Sequence, residues 1–235
     1  MSLAFKEGQR RAWFIPGPTI QPVELGSWVG SVEHGGRVNF FNLNLNPHAH
    51  GSHTETLGHV CKGEYPINEV DLPMVMKALL ISVETLRSEE FGERITVETV
   101  KDAIHKSGGI EDHIALIVRT LPNSESKRFK DHSHKDAPYF DEKVGQFLAQ
   151  SGIEHWLVDL PSVDREEDGG ALACHRSFWN LEPDATSPGE RARCHATITE
   201  LIFIPSGIKD GTWSLNLQVA PISNDAAPSK PILFK

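Results

Sequence analysis

His48-Ala49-His50-Gly51-Ser52-His53-Thr54-Glu55-Thr56-Leu57-Gly58-His59 places four of the chain's twelve histidines and one carboxylate within twelve residues. No other segment concentrates ligand-type side chains to this degree. In an extended segment successive side chains alternate faces, so His53 and Glu55 point the same way. Gly51 allows a turn through which His48 or His50 joins them. Two imidazoles and one carboxylate around a common point suit Zn²⁺, Mn²⁺ or Fe²⁺ and leave an open position for water, as catalytic sites do. His59 is then a further imidazole beside the ion. A solvated histidine-rich loop is the plainer alternative, and the density of histidines with a Glu at ligand spacing argues against it.

Working outward, Val38 to Leu45 alternates as a half-buried strand and delivers the chain into the cluster. Upstream, Ala12 to Ile15 is a short apolar run stopped by Pro16-Gly17-Pro18, which predicts a strand and a turn. Downstream, β-branching over Ala78 to Glu84 favours a strand over a short helix. Val97, Val100, Ala103 and Ile104 recur at helical spacing, with Thr96 as cap and Gly108-Gly109 as stop. Ile114 to Val118 is a buried strand. Pro122 to Pro138, with His132 and His134, reads as a long surface loop. Asp141 to Gln150 is helical, and Ile153 to Leu160 is another buried strand. Asp164 to Arg193 is polar and broken by the apolar patch Ala171 to Trp179. Thr197 to Ile204, Trp213 to Val219 and Pro231 to Phe234 complete the strands. This alternation predicts an α/β or α+β fold, one domain over residues 1–235, with a mixed β-sheet core and flanking helices.

The chain has 235 residues, a formal net charge of −9 and 39% hydrophobic residues, values ordinary for one large soluble domain. The acidic balance, without basic runs or basic–aromatic interleaving, argues against nucleic-acid or anionic-membrane partners and for a small-molecule substrate. Met1 to Trp13 carries Lys6, Glu7, Arg10 and Arg11 and has no apolar core segment, so no signal peptide is expected. No apolar run approaches membrane-spanning length. Cys61, Cys174 and Cys194 form no disulfide framework, which predicts a reduced, cytoplasmic protein. Cys174 and Cys194 each precede a histidine; buried free thiols are the commoner outcome.

Gly51-Ser52-His53-Thr54-Glu55-Thr56-Leu57-Gly58-His59 resembles the signature H-x-G-T-H-x-D-x-P-x-H of the cyclase-like metal hydrolases, the family of bacterial kynurenine formamidase and isatin hydrolase. His53 and His59 fall on its second and third histidines. The first falls on Ala49, flanked by His48 and His50, so a ligand comes from a shifted position. Glu55 stands for the family's Asp, and Leu57 replaces its Pro. Leu116-Ile117-Val118-Arg119-Thr120 is similar to the family's strand ending in Arg-Thr. Gly152-Ile153 and Asp159-Leu160-Pro161-Ser162-Val163-Asp164 resemble its later segment. Cys174-His175-Arg176 falls where the family places a later His ligand, and Glu200 where it places a Glu ligand. An apparent insertion between them makes His195 a competitor.

The resemblance implies the swivelling β/β/α fold of kynurenine formamidase and a centre of His48 or His50, His53, Glu55, His175 and Glu200. That centre would hold one or two Zn²⁺ or Mn²⁺ ions. It further implies hydrolysis of an amide-type C–N bond, in an arylformamide or a cyclic amide or ester, with unligated His59 as the catalytic proton shuttle, and a homo-oligomer. A purely orienting role for His59 is the alternative. Asp159 and Asp164 fit turn and cap roles equally well. Trp28, Phe40, Tyr139, Phe140 and Trp179 are available to line a pocket for an aromatic substrate, with core packing as the other use of each.

Two rival readings come from other classes. His48-Ala49-His50 with Glu55 fits the H-x-H-x4-E core of cupins, all-β barrels with oxygenase or isomerase chemistry, but the helices at Thr96 and Asp141 suit such a barrel poorly. The shifted histidine and the Asp-to-Glu change also fit a non-catalytic metal- or ligand-binding member of the cyclase family.

Overall fold

In the computed structural model, which describes residues 1–235, seven strands close into a barrel. Around it run His155–Val158, Thr197–Glu200, His53–Glu55, Ala226–Phe234, Gly211–Val219, Met76–Glu84 and Ala115–Leu121. Met76–Glu84, Ala115–Leu121, His155–Val158 and Thr197–Glu200 are parallel neighbours. The other pairings are antiparallel. The expected mixed sheet is thus present, curled until its edges meet, and the fold is mixed α/β.

Parallel neighbours need crossovers, and helices supply them. A four-residue helix, α1, spans Pro47–His50. The crossover helices are α2 (Val97–Lys106), α3 (Glu142–Gln150) and α4 (Ala173–Trp179). Thr96 caps α2 by accepting from Thr99 N, as its position before the apolar period predicts. Because barrel strands are buried on both faces, they read as continuous apolar runs. Leu79, Ile81, Leu116, Val118, Trp156 and Val158 pack outward against Val100, Ile104, Val144, Leu148, Phe178 and Trp179 of the helices. Ala78, Leu80, Ala115, Ile117, Leu157 and Leu215 fill a second, inner core.

Three local expectations change. Ala12 to Ile15 forms no strand: Trp13 and Phe14 both take left-handed backbone conformations (φ 64° and 62°), which no ladder accommodates. The strand before the cluster is Phe41–Asn44, exposed at all four residues rather than half-buried. It pairs with Thr19–Pro22 in a separate ribbon, and α1 intervenes before the histidines. The segment 122–138 is not wholly a surface loop, because His132 and Ser133 are buried and His132 N donates to Arg11 O at 2.6 Å.

No helix is long and apolar enough to cross a membrane. All three cysteines are free, with Cys61 and Cys174 buried and Cys194 exposed.

Candidate metal centre

The short strand His53–Glu55 lies between Thr197–Glu200 and Ala226–Phe234, with His53 opposite Glu200 and Glu55 opposite both Ile198 and Ala226. Pleating therefore turns His53, Glu55 and Glu200 to one side of the sheet. Thr54 and Thr199 face the other side, where their hydroxyls meet at 2.8 Å. Ile198 packs with the crossover helices, so the polar trio faces the helix layer, where α4 presents His175. At the two ends of the strand stand α1, carrying His48, and the turn Leu57–His59.

Glu55, wholly buried, joins the parts. Its Oε1 lies 2.9 Å from His175 Nε2 and its Oε2 3.0 Å from His48 Nδ1 and 3.9 Å from His59 Nδ1. Glu200 Oε2 is 3.4 Å from His53 Nε2, while its Oε1 accepts from Val163 N at 2.9 Å and lies 3.6 Å from His175 Nε2. The outer ring nitrogens of two imidazoles are already spoken for: His53 Nδ1 is 3.0 Å from Gly51 O, and His175 Nδ1 is 2.6 Å from Asp164 Oδ2. The inner nitrogens differ: His175 Nε2 is hydrogen-bonded to Glu55 Oε1, whereas His53, with its proton on Nδ1, turns the unshared pair of Nε2 inward.

The decisive observation is an orphaned set. His48 Nδ1, His53 Nε2 and Glu55 Oε2 are fully buried and make no hydrogen bond of acceptable geometry, although His48 Nδ1 and Glu55 Oε2 stand 3.0 Å apart and His53 Nε2 is 3.4 Å from Glu200 Oε2. Buried polar atoms are almost always satisfied, so three orphans at one point need an explanation. His48, His53 and Glu55 each offer a ligand atom within 4.8 Å of the others, and Glu55, His59 and His175 form a second such group. Glu55 is common to these two groups, and His48, His59 and Asp225 form a third. The donor set of imidazoles and carboxylates fits a divalent ion.

The electrostatics agree. Burial disfavours the charged form of Glu55, yet His59, His175 and His48 hold its carboxyl well below the usual range. Burial likewise opposes protonation of His48, but Asp225 and Glu55, one on each ring nitrogen, push it up to about 10. For His175, burial is outweighed by Asp164 and Glu55, which raise it well above its ordinary value.

Among the residues expected at the centre, His48, His53, Glu55, His59, His175 and Glu200 are brought together. His50 is not: its Nδ1 accepts from Asn46 N and its Nε2 lies 2.9 Å from Pro16 O, so both nitrogens are engaged outside the centre. This removes the H-x-H pairing on which a cupin reading rests. His195 is also elsewhere, 61% exposed and 3.9 Å from Glu154. Gly51 serves differently from the turn expected of it. Its backbone is extended (φ −176°), and a Cβ there would meet the Phe5 ring at 2.7 Å and Leu3 O at 2.9 Å. Asp164 accepts from Cys174 N and His175 N and so caps α4 while orienting His175. Asp159 instead holds Thr120 and Lys127.

A cavity of about 390 Å³ opens on the centre, lined by His48, His59, Glu200, Ser162, Asn46, Trp13, Ile15 and Leu172. Its apolar wall is not built from the expected aromatics. Tyr139 lies half-buried, Phe140 and Trp179 are core, and Trp28 and Phe40 sit exposed on outlying segments. Trp13 takes their place, and its Nε1 donates to His48 O at 3.1 Å. Sequence reasoning also missed Asp225, whose Oδ2 is 2.9 Å from His48 Nε2 and 3.6 Å from His59 Nδ1.

The sequence places this mixed barrel and its largely buried His/Glu centre in a known family. Residues 1–165 match the Cyclase family model, and the chain belongs to that family. It is 26% identical over 207 residues to the kynurenine formamidase of Bacillus thuringiensis (strain Al Hakam), covering 85% of this chain and 86% of that protein. The fold is shared with "The Structure Of Potential Metal-Dependent Hydrolase With Cyclase Activity" (TM-score 0.62, 16% identity, 100% of this chain and 96% of that one). It is also shared with an isatin hydrolase bound to the product analogue thioisatinate (TM-score 0.60, 12% identity, 92% and 80%).

Proposed function

We propose that this protein is a metal-dependent hydrolase that cleaves an amide-type C–N bond, in an arylformamide or a related cyclic amide or ester. The reading is carried by the three buried donor atoms of His48, His53 and Glu55, which converge within 4.8 Å without a hydrogen bond, beside an open cavity. The names of the kynurenine formamidase and isatin hydrolase relatives support the bond type. His48, His53, Glu55, His175 and Glu200 would hold one or two Zn²⁺ or Mn²⁺ ions. Such an ion supplies a water acidified towards neutral pH and positive charge for a developing oxyanion.

The chain's own groups do the rest. Trp13, Ile15 and Leu172 offer an apolar wall on which a planar substrate packs, with its carbonyl turned towards the carboxylate–imidazole side. His59, with 29% of its side chain exposed, is reachable from the cavity. Its ring stacks on His48 with centroids 4.4 Å apart. It therefore stands where it can hand a proton to the leaving nitrogen. The cavity-facing imidazole of His59 favours a catalytic over a purely binding role. Leu43, Phe40 and Phe41 lie exposed at 65%, 58% and 42% in and beside the ribbon, which supports a homo-oligomer; light scattering tests it.

The test is elemental analysis of protein purified without chelator, paired with an arylformamide hydrolysis assay before and after adding Zn²⁺ or Mn²⁺. Bound metal with metal-dependent turnover is the expected result. Absence of metal under every supplement would overturn the reading.

A further inference from the structure

Asp225 lies far from the histidine cluster in sequence and outside the residues that carry the family match. Its backbone is nevertheless pinned to the cluster. Thr56 N donates to Asp225 O at 3.0 Å, Ile67 N donates to Asn224 O at 2.8 Å, and the following residue, Ala226, pairs with Glu55. Gly58 permits the approach, since a Cβ there would stand 3.2 Å from Asp225 Cβ. The carboxylate is thereby held 2.9 Å from His48 Nε2 and 3.6 Å from His59 Nδ1.

We propose that Asp225 is a positioning residue that serves both halves of the site, fixing the tautomer of His48 and the orientation of His59. The inference rests on the metal-hydrolase reading above. A neutral imidazole carries one proton, and of the two carboxylates beside the ring only Asp225 meets its nitrogen in hydrogen-bond geometry, at Nε2, which keeps the proton there. The unshared pair then lies on Nδ1, the buried atom 3.0 Å from Glu55 Oε2 that makes no hydrogen bond. Were the proton on Nδ1, His48 would present a donor to the ion and could not bind it. His175 is prepared in the same way from its other side, with Asp164 on Nδ1 and Nε2 turned inward. Carboxylate–histidine–metal relays of this kind set both ring orientation and ligand basicity. His59, with Nδ1 directed at the same carboxylate, keeps Nε2 for the substrate side. One acid thus couples the ligand to the proton carrier.

The experiment uses the full chain as wild type, Asp225→Asn, Asp225→Glu and His53→Ala, with Zn²⁺ uptake by equilibrium dialysis, thermal melts without metal, and kinetics at saturating Zn²⁺. Asp225→Asn should weaken Zn²⁺ binding about 10–100-fold while leaving the metal-free melting temperature near wild type. At saturating Zn²⁺ it should lower kcat more than it raises KM. Asp225→Glu should recover part of both. Long-range ¹⁵N NMR on Zn²⁺-loaded wild type should find the His48 proton on Nε2, a readout that survives even if a variant fails to fold. Wild-type Zn²⁺ affinity in Asp225→Asn, or a His48 proton on Nδ1, would overturn the proposal and leave the hydrolase reading intact. Failure of wild type to take up Zn²⁺, with His53→Ala indistinguishable from it, would overturn both.

Discussion

Gly145 sits in α3 where that helix crosses α4, and replacing it with Ala sets two effects of known size against each other. Alanine is the better helix former by about 1 kcal/mol, so on propensity alone the variant gains stability. The crossing decides otherwise. A Cβ on residue 145 would meet Ser177 Oγ, lie 2.5 Å from Cys174 O and lie 2.9 Å from Phe178 N. The serine hydroxyl can rotate away; the two α4 backbone atoms cannot. Restoring ordinary contact needs a separation of roughly 1 Å between the helices. Overpacking of this kind costs about 1–3 kcal/mol, and backbone obstacles place it at the upper end. Net destabilisation of about 2 kcal/mol follows, or roughly 4–8 °C in Tm for a chain of this size. Urea unfolding followed by tryptophan fluorescence measures it, with Gln146→Ala, exposed on the same helix, as the propensity control. Because His175 adjoins Cys174 and sits 2.9 Å from Glu55, the variant should also bind metal more weakly. Equal or greater stability in Gly145→Ala would refute the reasoning.

Replacing His53 by Ala should abolish stoichiometric metal, read by elemental analysis, because its Nε2 belongs to the orphaned set. His59→Ala should retain metal and lose about 10²–10⁴-fold in kcat, the range of general acid catalysis; an unchanged kcat in a steady-state assay would remove His59 from proton transfer. Trp13→Ala removes the cavity's aromatic wall and should raise KM for an arylformamide roughly 5–30-fold, the equivalent of about 1–2 kcal/mol of apolar contact. His155, buried first of all and then placed near His195 and Arg193, is pushed down to about 4. The unfolded chain therefore binds this proton more readily between pH 6.5 and 4, and stability falls with pH across that window. By pH 4.5 the loss is about 2–3 kcal/mol, which His155→Asn should largely remove from the pH dependence of urea unfolding.

Much of the architecture is legible because burial writes itself into sequence. The continuous apolar runs at Ala78 to Glu84 and Ile114 to Val118 mark strands covered on both faces, and Val97, Val100 and Ile104 mark one helix face. Closure of the sheet is not legible, since it is set by which edges meet. Within the cluster, period-two alternation is enough to group His53 with Glu55, but choosing His48 over His50 needs α1, a four-residue turn without periodicity. The segment Ala12 to Ile15 misleads because a short apolar run suits a strand or a cavity wall equally. What decides is the left-handed backbone at Trp13 and Phe14, where the Trp13 indole donates to His48 O and the Phe14 backbone N to Ser133 Oγ. The patch Ala171 to Trp179 conceals α4, whose N-terminus is satisfied by Asp164 rather than by an adjacent capping residue. Asp225 carries no local signal at all. Its partners lie some 170 residues away in sequence, and only pairing of the last strand brings them together.

That pairing has a consequence for the order of events during synthesis. The three-residue strand His53–Glu55 is made early but flanked on both sides by strands made late, Thr197–Glu200 and Ala226–Phe234. At about 5–20 residues per second, roughly 10–30 s separate the translation of Glu55 from that of Ala226. During that interval the nascent chain displays His48, His53 and His59 without the elements that enclose them. A divalent ion held there would therefore complete its ligand set only after Glu200 is made, and would link the first quarter of the polypeptide to the strand Thr197–Glu200.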